Sequence, residues 1–193
     1  MRVYLMSSAV RIDLFTLLKA PRDPYPVLDD SPITNESYII MAQNSTLEQR
    51  IQLIEDKFAL ASLLNRYCNT ADNHQWDDFS QCFLADGIMG FESWPEVKGR
   101  DKIAAAAGGA EDRFEGLQHS MTNMEFVVDG NEASGTAYLW FSATMDVSKP
   151  REHHAFGGHY KFNFQRTEEG WRIARMRLRK TWAQNDDVQG VFG

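Results

Sequence analysis

Cysteine is nearly absent. Cys68 and Cys82 are the only two in 193 residues, too few for a disulfide framework and without the paired spacing of a zinc site. Both read as reduced packing residues, which suits a cytoplasmic location. Basic clusters are missing too: 20 Lys and Arg against 27 Asp and Glu leave a formal charge of −7 and a pI near 5.2. That balance excludes a broad nucleic-acid or anionic-membrane surface. Long hydrophobic runs are also scarce, since Arg11 and Asp13 break "MRVYLMSSAVRIDLFTLLKA" short of the roughly 20 residues that a bilayer crossing needs. There is no serine nucleophile elbow, and the Gly108-Gly109 and Gly157-Gly158 pairs lack phosphate-loop spacing. His153 and His154 are adjacent, so in a strand they point to opposite faces and cannot share a metal. No metal is therefore expected.

Proline is confined. Four of the six (Pro21, Pro24, Pro26 and Pro32) fall in "PRDPYPVLDDSPI", which can form neither helix nor central strand. Residues 1–40 read as a flexible N-terminal extension, and residues 41–193 as one compact domain.

What is present is patterned. Ser45 with Glu48 makes a capping box and predicts a helix from about Thr46 to Thr70. Its apolar positions recur as Ile51, Ile54, Phe58, Ala61 and Cys68 at helical steps, and Asp72 follows one turn later, which predicts an inward carboxylate. Trp76, Phe79, Cys82 and Phe83 predict a second helix, Gln75 to Leu84. "ADG" at 85–87 then turns into a short strand, Ile88 to Phe91. Asp101 to Ala107 predicts a third helix, closed by Gly108 and Gly109.

The period then changes. Turn signals at "DGN" (129–131), at Lys149-Pro150 and at "EEG" (168–170) separate four long strand-like runs between His119 and Trp182, an antiparallel meander. Phe156, Gly158, Tyr160, Phe162 and Phe164 alternate with polar residues, as Ala174, Met176 and Leu178 do with Arg175, Arg177 and Arg179. Ala137 to Met145 is apolar on both faces. With Tyr138 and Trp140 opposite Leu139 and Phe141, one face is expected to line the interior and the other to meet a second subunit in a homodimer or homotrimer.

Helices followed by a long curved sheet make an α+β arrangement that encloses a space. A carboxylate entering that space needs a cationic or hydrogen-bonded partner. His119, at the start of the first long strand, can supply one. The pair would be a dyad in which Asp72 fixes the imidazole tautomer while the other ring nitrogen moves a proton. A plain structural role for each residue remains open at this level. Strand parity also sets His119 on the side of Met121, Asn123 and Glu125, opposite the more apolar Met124, Phe126 and Val128, so a bulge or a twist is needed to reconcile them.

The order of a helix ending in Asp72, then "WDDFSQCFLADG", "HSMTN" and "GGHYKFNFQRTEEGWRIARMRLR" resembles the SnoaL-like branch of the nuclear transport factor 2-like superfamily, over residues 46 to 183. The resemblance implies a cone-shaped curved antiparallel sheet closed by three N-terminal helices, a cystatin-like roll. Its catalytic members include scytalone dehydratase, hexachlorocyclohexane dehydrochlorinase and polyketide cyclases. It implies cofactor-free proton transfer with His119 as base and Asp72 as its carboxylate partner. It also sets Met89, Phe91, Tyr160 and Met176 at substrate-binding positions, and Cys68, one turn before Asp72, and the apolar Phe162 are expected to line the same pocket. The expected activity is that of a lyase or isomerase, dehydratase-like, acting on a small apolar polyketide, aromatic or terpenoid metabolite. A cyclase or hydrolase on the same fold, and a non-catalytic binding or scaffold domain, are the alternatives.

Overall fold

The computed structural model describes residues 45–92 and 95–185, so the expected extension at 1–40 lies outside the described residues. Helix α1 (Leu47–Asp72) opens on a capping box one residue later than expected. Thr46 accepts the Gln49 amide at 3.2 Å, and Gln49 Oε1 accepts the Thr46 amide at 2.9 Å. Ser45-Glu48 and Thr46-Gln49 both satisfy the motif, and the second pair is used.

The face α1 buries also differs from expectation. Leu60, Leu63, Leu64, Tyr67, Cys68 and Ala71 are buried, whereas Ile51, Ile54 and Phe58 are 47%, 68% and 75% exposed. At about 100° per residue the second set falls opposite the first. Tyr67 and three leucines, rather than the isoleucines, are what α1 presents to the sheet. The amino-terminal half of α1 is instead tied down by Asp56, which accepts from Arg166 Nη2 at 2.7 Å and from Trp171 Nε1 at 3.2 Å.

Helix α2 is only one turn long (Trp76–Ser80), and strand β1 (Phe83–Phe91) begins where the sequence predicts continued helix. Phe83 pairs with Ile173 of the last strand, whose amide donates to the Cys82 carbonyl at 2.8 Å. Sheet pairing thus overrides a helical period too short to nucleate alone. The expected turn at 85–87 is a register shift inside β1, between Phe83 and Ile88. After β2 (Val97–Lys98), helix α3 (Arg100–Glu111) runs through Gly108 and Gly109 instead of stopping there. Gly108 serves packing: a Cβ on it would lie 3.1 Å from the Trp76 indole. The three helices are therefore interleaved with β1 and β2, not all placed before the sheet.

The four long runs are strands β3 (Gly116–Asp129), β4 (Glu132–Thr144), β5 (His153–Thr167) and β6 (Gly170–Gln184). They form the antiparallel meander expected, and β1 adds to β6 in parallel, giving the order β2-β1-β6-β5-β4-β3. The open, curved, six-stranded sheet carries the helices on its apolar face, an α+β fold. Phe141, Phe156, Tyr160, Phe162, Phe164 and Leu178 form much of the buried face. Tyr138 and Trp140 stand on the outer one, 48% and 56% exposed. Among the described residues no helix is long and apolar enough to cross a membrane.

Two irregularities set the inner face. The β3–β4 register shifts between Thr122 and Glu125, with Asn123 at φ 52°. Leu117, His119 and Met121 therefore face inward before it, and Met124, Phe126 and Val128 after it. Of the bulge or twist that strand parity required, the strand uses a bulge. A second shift, between Asn163 and Phe164, skips Ala174, so Ile173 and Met176 are both buried and Ala174 is half-buried rather than part of an unbroken inward row.

Candidate active site

Asp72 is the last residue of α1, where β3 crosses the helix end. Its carboxylate accepts the His119 backbone amide at 2.9 and 3.1 Å and meets His119 Nδ1 at 2.7 Å. The histidine side chain is 6% exposed and that of Asp72 21%. An acceptor on Nδ1 fixes the proton there and leaves Nε2 facing away from Asp72. Tyr67 meets the imidazole edge-on at 6.5 Å, and Phe141 at 4.8 Å.

Nε2 faces a third group that the sequence reading missed. Glu111, the last residue of α3, is 8% exposed and brings Oε1 to 3.8 Å from His119 Nε2. Its signal was the spacing of Ile103, Ala107 and Glu111, each one turn apart. A helix stopped at Gly108 hides it. Burial pushes the Glu111 carboxyl above the usual carboxylate range, with His119 opposing and Asp72 reinforcing the shift. For His119, burial disfavours the charged ring, but Glu111 and the Asp72 hydrogen bond outweigh it and raise the imidazole above its ordinary value.

The cavity beside these groups is lined by His119, Glu111, Tyr67, Tyr160, Met89 and Phe91, with Ala71, Phe79, Ala107, Ala110, Leu139, Phe156 and Leu178. Its non-atom space is about 400 Å³, part of it open to solvent, and the centre of a water molecule can reach only about 20 Å³ of it. It is narrow and mainly apolar. Tyr67 and Tyr160 bring their hydroxyls to 3.4 Å, and burial raises both phenols, so each keeps its proton.

Of the expected site residues, Asp72 and His119 come together, and Met89, Phe91 and Tyr160 line the cavity. Cys68, Phe162 and Met176 do not. Phe162 and Met176 are register partners packed into the core on the same inward face as Tyr160 and Leu178, but Leu178 takes the lining position on β6. Cys68 is buried off the cavity. Burial, reinforced by Asp72, pushes its thiol up to about 12, so it stays protonated. Tyr67 was missed because the expected apolar stripe ran along the opposite side of α1. His153 and His154 lie apart from this site, their Nδ1 atoms near the Pro150 and Asn185 carbonyls at 3.3 and 3.0 Å.

A family model described as a SnoaL-like domain matches residues 52–177. The uncharacterised protein Rv2910c of Mycobacterium tuberculosis is 27% identical over 123 residues, 63% of this chain and 83% of that one. Among solved structures, an NTF2-like protein with a cystatin-like fold from Novosphingobium aromaticivorans superposes with a TM-score of 0.63 at 21% identity, covering 78% of this chain and 99% of the other. A provisionally assigned scytalone dehydratase from the same bacterium gives a TM-score of 0.63 at 20% identity, covering 71% and 91%.

Proposed function

This chain belongs to the SnoaL-like family, and we propose that it is a small cofactor-free lyase of the dehydratase type, or an isomerase, with His119 as the base. The 2.7 Å contact between His119 and Asp72 inside an apolar cavity carries this reading. Nδ1–H donates to Asp72, and Nε2 takes a proton from a carbon made acidic by a neighbouring carbonyl. Asp72 then stabilises the imidazolium that forms. Tyr67 and Tyr160, both protonated, can donate to the carbonyl oxygen as negative charge develops on it.

The dehydratase-type assignment of a structural neighbour is consistent with this chemistry. The apolar walls of Met89, Phe91, Phe79 and Leu139 suit an apolar metabolite, aromatic or terpenoid in character. Metabolites retained by the purified protein, identified by mass spectrometry, supply the substrate for the test. With it, His119→Ala should lower turnover about 10²- to 10⁴-fold, the range for loss of a general base. Near-normal turnover in that variant would reject the reading and leave a binding domain.

A further inference from the structure

The Asp72–His119 pair leaves a cavity carboxylate without a task. Glu111 is more than nine-tenths buried and lines the cavity, and its Oε2 has no hydrogen-bond partner among the described residues. The 3.8 Å from Oε1 to His119 Nε2 is too long for a hydrogen bond, so both atoms open onto the same space. Packing does not account for it. The other inward positions of α3 are Ile103, Ala107 and Ala110, and an apolar residue there would avoid burying an unsatisfied acid.

Resting on the elimination reading above, we infer that Glu111 is the general acid that protonates a departing oxygen on the carbon next to the one His119 deprotonates, so that the substrate is a β-hydroxy carbonyl compound and the leaving group is water. His119 Nε2 takes the α-proton. The electron pair of that C–H bond becomes the new C=C bond as the β-C–O bond breaks, and the Glu111 carboxyl proton goes to the leaving hydroxyl. One substrate gives one enone and one water. His119 ends protonated and Glu111 ionised.

The two groups then face each other as imidazolium and carboxylate. An approach of about one ångström brings Nε2 and Oε1 to hydrogen-bonding distance, and the proton returns to Glu111 without passing through bulk solvent. The number of protons on the pair is therefore the same before and after each turnover. The upward shifts of both groups agree with one proton held jointly, as coupled sites do. The other ionisable groups around Glu111 are Asp72 and Tyr67 from α1, Tyr160 from β5, and His74 and Asp112 beyond the helix ends.

Three probes test this in the full chain: a β-hydroxy ketone bearing one phenyl ring, its β-acetoxy counterpart, and the parent phenyl ketone with no leaving group. Glu111→Gln should lower elimination from the hydroxy ketone about 10²-fold or more. It should leave the acetoxy compound, whose leaving group needs no proton, within several-fold of wild type. Exchange of the α-hydrogen of the parent ketone in heavy water should persist in Glu111→Gln and vanish in His119→Ala. By NMR, the His119 titration should move down in Glu111→Gln. Equal losses for the two leaving groups, or an unmoved histidine titration, would overturn the role of Glu111. Wild-type protein that exchanges the ketone but eliminates neither leaving group would overturn Glu111 and spare His119; wild type that does neither overturns both.

Discussion

One carboxylate of Asp72 holds both the ring and the backbone amide of His119, at 2.7 Å and at 2.9 and 3.1 Å. Asp72 thus fixes where β3 meets the end of α1 and which tautomer the imidazole adopts. Asp72→Asn separates the two effects. An amide oxygen can still accept one of the N–H groups, so the fold should survive with a melting temperature within a few degrees of wild type. It cannot stabilise an imidazolium, and turnover should fall by about 10²- to 10⁴-fold. Unchanged turnover in a folded Asp72→Asn variant would remove Asp72 from the mechanism.

Asp56 has the opposite character: it anchors and takes no part in chemistry. The Arg166 hydrogen bond, opposed by burial and aided by Trp171, holds its carboxyl below the ordinary value of 3.8. A depressed folded value means stability that is fully present above 3.8 and drains away as pH falls through the lower, folded value. Asp56→Asn should therefore cost about 1–3 kcal/mol at neutral pH, with Arg166 only 29% exposed and left unpaired. The gap in melting temperature between wild type and variant should narrow progressively below pH 3.8. A gap that stays constant down to acid pH contradicts this account.

The sheet was legible because four long runs alternate without competing signals, and turn residues mark their ends. The dyad was legible as a pair, but by a route the structure does not support. The stripe of Ile51, Ile54 and Phe58 that drew attention to Asp72 lies on the exposed side of α1, and Asp72 reaches the interior because β3 crosses over the helix end. Glu111 was hidden by two glycines that look like a stop. A Cβ at Gly108 would press on the Trp76 indole at 3.1 Å, a contact between segments that no local pattern encodes. Cys68, Phe162 and Met176 have the right chemistry for a pocket wall and instead pack into the core beside it.

The outer face of the sheet carries Trp140 and Trp182 with ring centroids 4.7 Å apart, and Tyr138 stacked on His159 at 4.5 Å. Trp140 is 56% exposed. We propose that a second copy of the chain covers this aromatic area. Trp140→Glu should convert a dimer or trimer to monomer in sedimentation while leaving the far-UV circular dichroism unchanged. A wild-type protein that sediments as a monomer at micromolar concentration removes the subunit contact.

The bulge at Asn123 decides whether His119 and Phe126 can both face the core. Without the register shift between Thr122 and Glu125, a strand that turns His119 inward would turn Phe126 out to water. Asn123 sits at φ 52°, a conformation that asparagine and glycine tolerate and a β-branched residue does not. Asn123→Gly should therefore melt close to wild type, whereas Asn123→Val should lose about 1–2 kcal/mol. The valine variant should also lose turnover through displacement of His119, although residue 123 is exposed and lies outside the cavity lining. Equal melting temperatures for the two variants would mean that the left-handed residue is not what holds the bulge, and that the inward position of His119 depends on its clasp by Asp72 alone.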